Sequence, residues 1–315
     1  MLLEKEKERV NTRKPFFKSR RFWIPLVAFL GVLILVYVGI SFYGADTMTR
    51  IPPHSTVFTE TPAKYGLAYE DVSFPSAASD HLNLSGWWIP LAGSNRALVI
   101  VHGHNQSRVE MLYLATQLRE MGFNLLYFDY RGHGSTPWPH YSYGQWESWD
   151  VVGAFNFVKT KGFEVDNIAI SARSYGAVSS LLAMGHSSEI KTVFSDSAWA
   201  NFSTFADWRF TREYGLPNFF LPGIYTAAYL TQGLKIEEMS PELTIKNLSG
   251  RRIFLIHGGQ DNDVSYQEFY RLKEAGGANI VGSWFVPNAR HCQAYELYPQ
   301  EYMQKLKAFL NNEPL

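Results

Sequence analysis

A single cysteine, Cys292, stands in 315 residues, which excludes an intrachain disulfide and any metal cage built from several cysteines. Net charge is missing as well: 29 Lys and Arg balance 29 Asp and Glu, so no basic excess marks a nucleic-acid partner. No period recurs along the chain, which removes collagen, coiled-coil and repeat architectures. What is present is a globular composition, 46% hydrophobic and 16% aromatic, in a length that suits one large domain or two small ones.

The zero balance hides two unlike parts. Residues 1–21 carry eight Lys/Arg and three Glu, and the remainder carries 21 Lys/Arg and 26 Asp/Glu. Residues 22–45 then contain no charge at all. As a helix this run would be roughly 36 Å long, enough to cross a hydrocarbon core of about 30 Å. A cleaved signal peptide is the competing reading, with Gly39-Ile40-Ser41 as its cleavage site, but the run exceeds a usual signal core and favours a retained anchor. The expected order is a cytoplasmic basic segment over 1–21, a transmembrane helix over 22–43 and a proline-bearing stalk over 44–68. A domain outside the membrane follows over 69–315.

Within that domain, strands are expected at 69–74, 82–89, 97–101, 124–128, 167–171, 192–195, 252–256 and 280–286. Helical spacing recurs over 111–121, 149–159, 178–184 and 301–310. This alternation implies a mostly parallel sheet with helices on both faces. The stretch 198–248 interrupts it, being rich in Phe, Trp and Tyr and too long for a connection, and reads as a cap over one end of the sheet.

Active residues of such a sheet gather where strands end. The expected strand 167–171 leads through Ala172-Arg173-Ser174-Tyr175-Gly176 into an apolar helix. A serine on that tight turn needs small residues two places before and after it, and Ala172 and Gly176 supply them. A serine hydroxyl also needs a base and an acid to orient the base. Asp261 follows the strand 252–256, with Asp263 and Asp196 as rival acids, and His291 follows the last strand. Ser174, Asp261, His291 is the chain order of one hydrolase class. An oxyanion needs two amides; Gly103 lets the chain turn after 97–101, so the N–H of His104 pairs with that of Tyr175. The side chains of His102 and His104 read as loop hydrogen-bonding groups, and no residue is assigned to a metal or a cofactor. Cys292, adjacent to His291, is read as inert because sequence neighbours on a loop rarely point at one another.

The segments Leu98-Val99-Ile100-Val101-His102-Gly103-His104, Phe128-Asp129-Tyr130-Arg131-Gly132-His133-Gly134, the Ser174 turn, Ile256-His257-Gly258 with Asp261, and His291 occur in the order of the alpha/beta-hydrolase superfamily. The chain resembles that superfamily over about 69–310, and within it looks like bacterial membrane-anchored esterases or peptidase-like hydrolases. The resemblance implies the alpha/beta-hydrolase fold and acyl transfer to water through an acyl-enzyme on Ser174. Residues 129–134 would be a structural turn near the site. A small-molecule or lipid-like acyl substrate is expected, with the aromatic cap lining its pocket. A peptidase would be marked by a cap acid facing the pocket, among Asp207, Glu213, Glu237 and Glu238. Arg209 and Arg212 could meet an anionic head group. A tethered binding scaffold without catalysis is the remaining alternative.

Overall fold

The computed structural model describes residues 20–53, 56–215 and 217–314, so the basic segment expected over 1–21 lies, but for its last two residues, outside the described residues. Eight strands form one sheet in the order β1-β2-β4-β3-β5-β6-β7-β8. They are β1 (Glu70–Pro75), β2 (Asn83–Ile89), β3 (Ala97–Val101), β4 (Asn124–Asp129), β5 (Ile168–Arg173), β6 (Thr192–Asp196), β7 (Arg252–Gly258) and β8 (Ile280–Val286). The pairs β1–β2 and β2–β4 are antiparallel, and every pairing from β4 through β8 is parallel. This is the alpha/beta-hydrolase fold.

Parallel strands need crossovers, and the helices α2 (Ala115–Glu120), α3 (Glu147–Thr160), α4 (Tyr175–His186) and α8 (Gln267–Gly276) lie in them, while α9 (Ala294–Leu297) and α10 (Pro299–Leu310) follow the last strand. The unbroken apolar run of β3 is explained by a core on each side. Ala97, Val99 and Val101 join the core under α3, α4 and the cap, while Leu98 and Ile100 join the one under α2 and α10. β7 splits the same way, with Ile253 and Leu255 on one side and Phe254 and Ile256 on the other. A period of two, covered on both faces, turns into continuous hydrophobicity in the sequence.

The cap lies between β6 and β7 as α5 (Phe202–Tyr214), α6 (Leu221–Gln232) and α7 (Pro241–Ile245). Asn201 begins α5, its side chain accepting from the amides of Ser203 and Thr204, and Gly215 ends it in the left-handed conformation. Phe202, Phe205, Phe210, Leu221 and Ile224 tie these helices into the core around Trp199.

The N-terminal helix departs from its expected bounds. α1 spans Arg20–Thr49, so the first residues of the expected stalk are helical. Nothing breaks the helix before Pro52, and Asp46 pairs with Arg50 one turn on. Beyond α1, described residues of the stalk touch the domain: the Ile51 amide donates to Pro139 at 3.2 Å, and Phe58 lies edge-on to Trp87. From Trp23 to Tyr43 the large apolar side chains of α1 are mostly exposed. Among the described residues, α1 is one helix long and apolar enough to cross a membrane.

Candidate active site

Ser174 occupies the step from β5 into α4 with φ 53° and ψ −123°, a conformation that costs a residue with a side chain on the order of 1–3 kcal/mol. Packing enforces it. A side chain on Gly176 would collide with the carbonyls of Val101 and His102, so α4 can press against the end of β3 only with glycine there. Ala172 pairs with Val101 in the sheet and turns its methyl into the core, which explains why alanine serves where glycine is common. The Ser174 amide donates to the Asp196 carbonyl at 2.7 Å, fixing the turn to the next strand.

The three residues named from the sequence meet. His291 Nε2 lies 2.7 Å from Ser174 Oγ, and His291 Nδ1 lies 2.6 Å from Asp261 Oδ2. Asp261 is held in turn, its Oδ1 accepting from the amides of Asp263 and Val264 at 2.8 Å each. Burial works against its charge, but His291, His257 and the Val264 amide outweigh burial and hold the carboxyl below its usual range. Burial likewise opposes a charged His291, yet the neighbouring Cys292 sulfur and the Asp261 carboxylate raise its pKa well above that of an ordinary histidine. The Asp261 carboxylate thereby stabilises the imidazolium that forms when neutral His291 takes a proton from the hydroxyl at hydrogen-bond distance.

The rival acids have other partners. Asp196 is buried beside Ser197, which donates to it at 2.8 Å, and burial raises its carboxyl despite the attraction of Arg173. Asp263 is exposed and lies 3.5 Å from Arg209. Asp261, Asp263 and His291 bring potential ligand atoms within 4.8 Å of one another. The buried Asp261 carboxylate and both His291 nitrogens are already hydrogen-bonded, which accounts for the cluster without an ion.

Gly103 and His104 border the same cavity as Ser174. The Gly103 amide is occupied, donating to Glu110 Oε2 at 2.6 Å, and Glu110 also faces Arg173 at 3.5 Å. Glu110 therefore pins the turn that presents the next amide, that of His104; its part was not read from the sequence. The Tyr175 amide opens α4, where no intrahelical acceptor exists. The His104 ring is buried against Tyr141 and Tyr175, and burial, with Arg209 nearby, pushes its pKa down to about 4. A neutral ring fits the loop role expected of it. His102 is likewise structural, stacked on Tyr130 at 4.3 Å with Nδ1 2.9 Å from the Gly103 carbonyl. Asp129 accepts from the amides of Arg108 and Ser135, and Gly134 closes over its carboxylate, as expected of a supporting turn.

One sequence argument fails. Cys292 takes φ 54°, which turns its buried side chain toward the cavity and His291 although the two are neighbours. Its amide donates to Ser197 and its carbonyl accepts from Arg173, so a left-handed kink held from both sides overrides the usual divergence of adjacent side chains.

The cavity measures about 320 Å³. Ser174, His291 and the oxyanion turn form its floor, and Met48 of α1, Tyr143 and the α5 residues Phe202, Phe205, Arg209 and Glu213 form its walls. The α5 residues recur at helical spacing, so one stripe of that helix faces the serine. Of the four cap acids, Glu213 reaches the cavity, and it is paired with Arg209.

Residues 93–203 match the family model of the serine aminopeptidases, S33. The uncharacterized protein YqkD of Bacillus subtilis is 25% identical over 249 residues, 77% of this chain and 80% of that protein. The uncharacterized protein YfhR of Escherichia coli K12 is 26% identical over 258 residues, 77% and 82%. Among solved structures, the Pyrococcus furiosus esterase Pf2001 superposes with a TM-score of 0.68 at 23% identity, covering 85% of this chain and 99% of the esterase. A puromycin-hydrolyzing peptidase of Mycobacterium tuberculosis gives 0.59 at 16% identity, covering 78% and 39%. The sheet order and the structural matches show the alpha/beta-hydrolase fold, and the match over residues 93–203 supports a serine hydrolase of that fold.

Proposed function

We propose that the protein is a membrane-anchored serine hydrolase that cleaves carboxylic esters through an acyl-enzyme on Ser174. The observation that carries this reading is the line Ser174 Oγ, His291, Asp261, with steps of 2.7 and 2.6 Å, on the floor of a cavity walled by Phe202, Phe205 and Met48. Ser174 Oγ attacks the ester carbonyl while His291 Nε2 takes its proton. Asp261 holds the tautomer with hydrogen on Nδ1 and stabilises the imidazolium. The amides of Tyr175 and His104 bind the oxyanion, a contribution of about 3–4 kcal/mol per donor in comparable sites. His291 then protonates the departing alcohol and activates a water that releases the acid and restores Ser174.

An ester is preferred over a peptide because the acids in the cavity are compensated. Arg209 lies between Glu213 and Asp263 and Arg173 faces Glu110, so among the described residues each carboxylate bordering the cavity has a cationic partner, while the walls suit an apolar acyl chain. The peptidase reading draws on the serine aminopeptidase match and on Glu213 facing the cavity. Hydrolysis of p-nitrophenyl esters of graded acyl length, beside aminoacyl p-nitroanilides, by the full chain in detergent tests the two. Esters turned over in preference support the proposal, and faster cleavage of the anilides reverses it.

The anchor is α1, whose exposed apolar side chains have no place in water over such a length. The excess of Lys and Arg over residues 1–21 orients it with the hydrolase outside. The mass of the membrane-bound protein checks retention of this segment, and protease protection in spheroplasts checks its orientation.

A further inference from the structure

α1 does not leave the membrane alone. Its second half lies beside α6, and the two helices run in the same direction. Tyr37 meets Phe219 and Phe220, Ser41 meets Gly223, Gly44 meets Ile224, and Gln232 donates to Thr49. The approach is close because a glycine stands on one side at two of these meetings, Gly223 against Ser41 and Gly44 against Ile224. A side chain on Gly223 would run into Ser41 and Tyr37, and one on Gly44 would come within 2.8 Å of Ile224. Helices pack this way in lipid, where apolar burial supplies little drive.

The polar groups of this contact are matched. The Tyr37 hydroxyl donates to the Phe219 carbonyl at 3.3 Å and accepts the Gly223 N–H at 3.1 Å. Gly223 lies in the first turn of α6, where amides lack intrahelical acceptors, and Pro222 beside it has no N–H to satisfy. A helix start completed in this manner needs no water, which is the condition for backbone to lie in a bilayer.

The depth follows from α1. Asp46 is the first charge after the apolar run, so the outer edge of the hydrocarbon falls near residues 43–45. Tyr37 sits at least six residues before that edge, roughly 9 Å along the axis, and Phe219 and Phe220 share its depth. The cap is suited to it. No charged residue occurs between Glu213 and Lys235, and Phe219 is 70% exposed although its neighbours are apolar.

We propose that the corner 217–222 and the first turn of α6 are sunk in the outer leaflet beside α1, so that the cap is a second membrane contact and the cavity is held at the lipid surface. The proposal rests on the reading of α1 as an anchor. The occupant of this surface is the bilayer. The corner is fastened to α5, with Thr211 2.8 Å from Asn218 and Asn218 donating to Asp207 at 3.1 Å, and α5 carries the cavity stripe from Phe202 to Glu213. A substrate held in the leaflet, an acyl amphiphile, reaches Ser174 along that stripe.

The test uses the full chain in phosphatidylcholine and phosphatidylglycerol vesicles, with an environment-sensitive fluorophore on Phe219→Cys, Ile34→Cys or Glu274→Cys. Unsubstituted protein supplies the background from buried Cys292, and Pro222→Cys is a second probe of the corner. Doxyl-labelled lipid should quench the probes at 219, 222 and 34 alike, with iodide ineffective, and the reverse should hold at 274. Iodide quenching at 219 and 222, with lipid quenching at 34, overturns the sunken corner and leaves the anchor standing. Iodide quenching at 34 overturns the anchor and the proposal with it.

Discussion

Replacing Asp261 by Asn removes one charge from the site and almost no volume. Oδ1 accepts two amides, from Asp263 and Val264, so the Asn oxygen is held in that place and its NH2 group must face His291. The NH2 group can only donate, which obliges Nδ1 to accept and moves the ring proton to Nε2, the atom 2.7 Å from Ser174 Oγ. That tautomer cannot take the serine proton. In serine hydrolases of the same logic the loss is about 10⁴ in kcat, or about 5.5 kcal/mol of barrier. The pH profile should change in a fixed direction. His291 must be neutral to act, and its pKa is raised in part by Asp261, so wild-type kcat/KM falls as pH drops through a midpoint above the ordinary histidine value. Without the carboxylate that midpoint moves down. Steady-state hydrolysis of a p-nitrophenyl ester between pH 5 and 9 reads both effects, with circular dichroism as the control for folding. Asp263→Asn, at an exposed side chain, should stay within a few-fold of wild type. Activity of Asp261→Asn within tenfold of wild type, or a larger loss in Asp196→Asn or Asp263→Asn, would refute the assignment of the acid.

Further outcomes concern the support of the site. Gly176→Ala should destabilise the fold by about 1–3 kcal/mol, because a new methyl meets the Val101 and His102 carbonyls; chemical denaturation measures it. Ser174→Gly should be more stable than Ser174→Ala by about 1 kcal/mol, since both lack the hydroxyl and only glycine relaxes at φ 53°; equal midpoints would mean the turn is not strained. Glu110→Ala frees the Gly103 amide and strands Arg173, so kcat should fall about tenfold or more with little change in KM. Glu213→Gln should leave ester hydrolysis near wild type, whereas a selective rise in KM for aminoacyl anilides would revive the peptidase reading.

Much of this is legible in the amino-acid sequence itself. β3 and β8 match their expected bounds because apolar runs closed by polar turns leave few alternatives, and Ser174, Asp261 and His291 each follow a strand end. What escaped depended on contacts between distant segments. α8 escapes although its pattern is amphipathic: it is ten residues long and mostly polar, with Phe269 and Leu272 as its large buried apolar anchors, and Glu268 puts a carboxylate among its buried residues. That glutamate accepts from the Ala200 and Asn201 amides, a role visible only once the cap is in place. The end of α1 was set at 43 because apolarity ends there, yet the helix continues while α6 packs on it. Glu110 lay in a stretch read for its apolar spacing, and no local pattern announces a carboxylate that caps a turn seven residues earlier.

The most direct measurement is labelling of the full-length protein with a fluorophosphonate, followed by mass mapping of the modified peptide. An activated serine beside His291 should give one adduct, on Ser174, absent from Ser174→Ala and formed far more slowly in Asp261→Asn. Folded wild-type protein that takes no label, or that takes it on another residue, would contradict a catalytic Ser174.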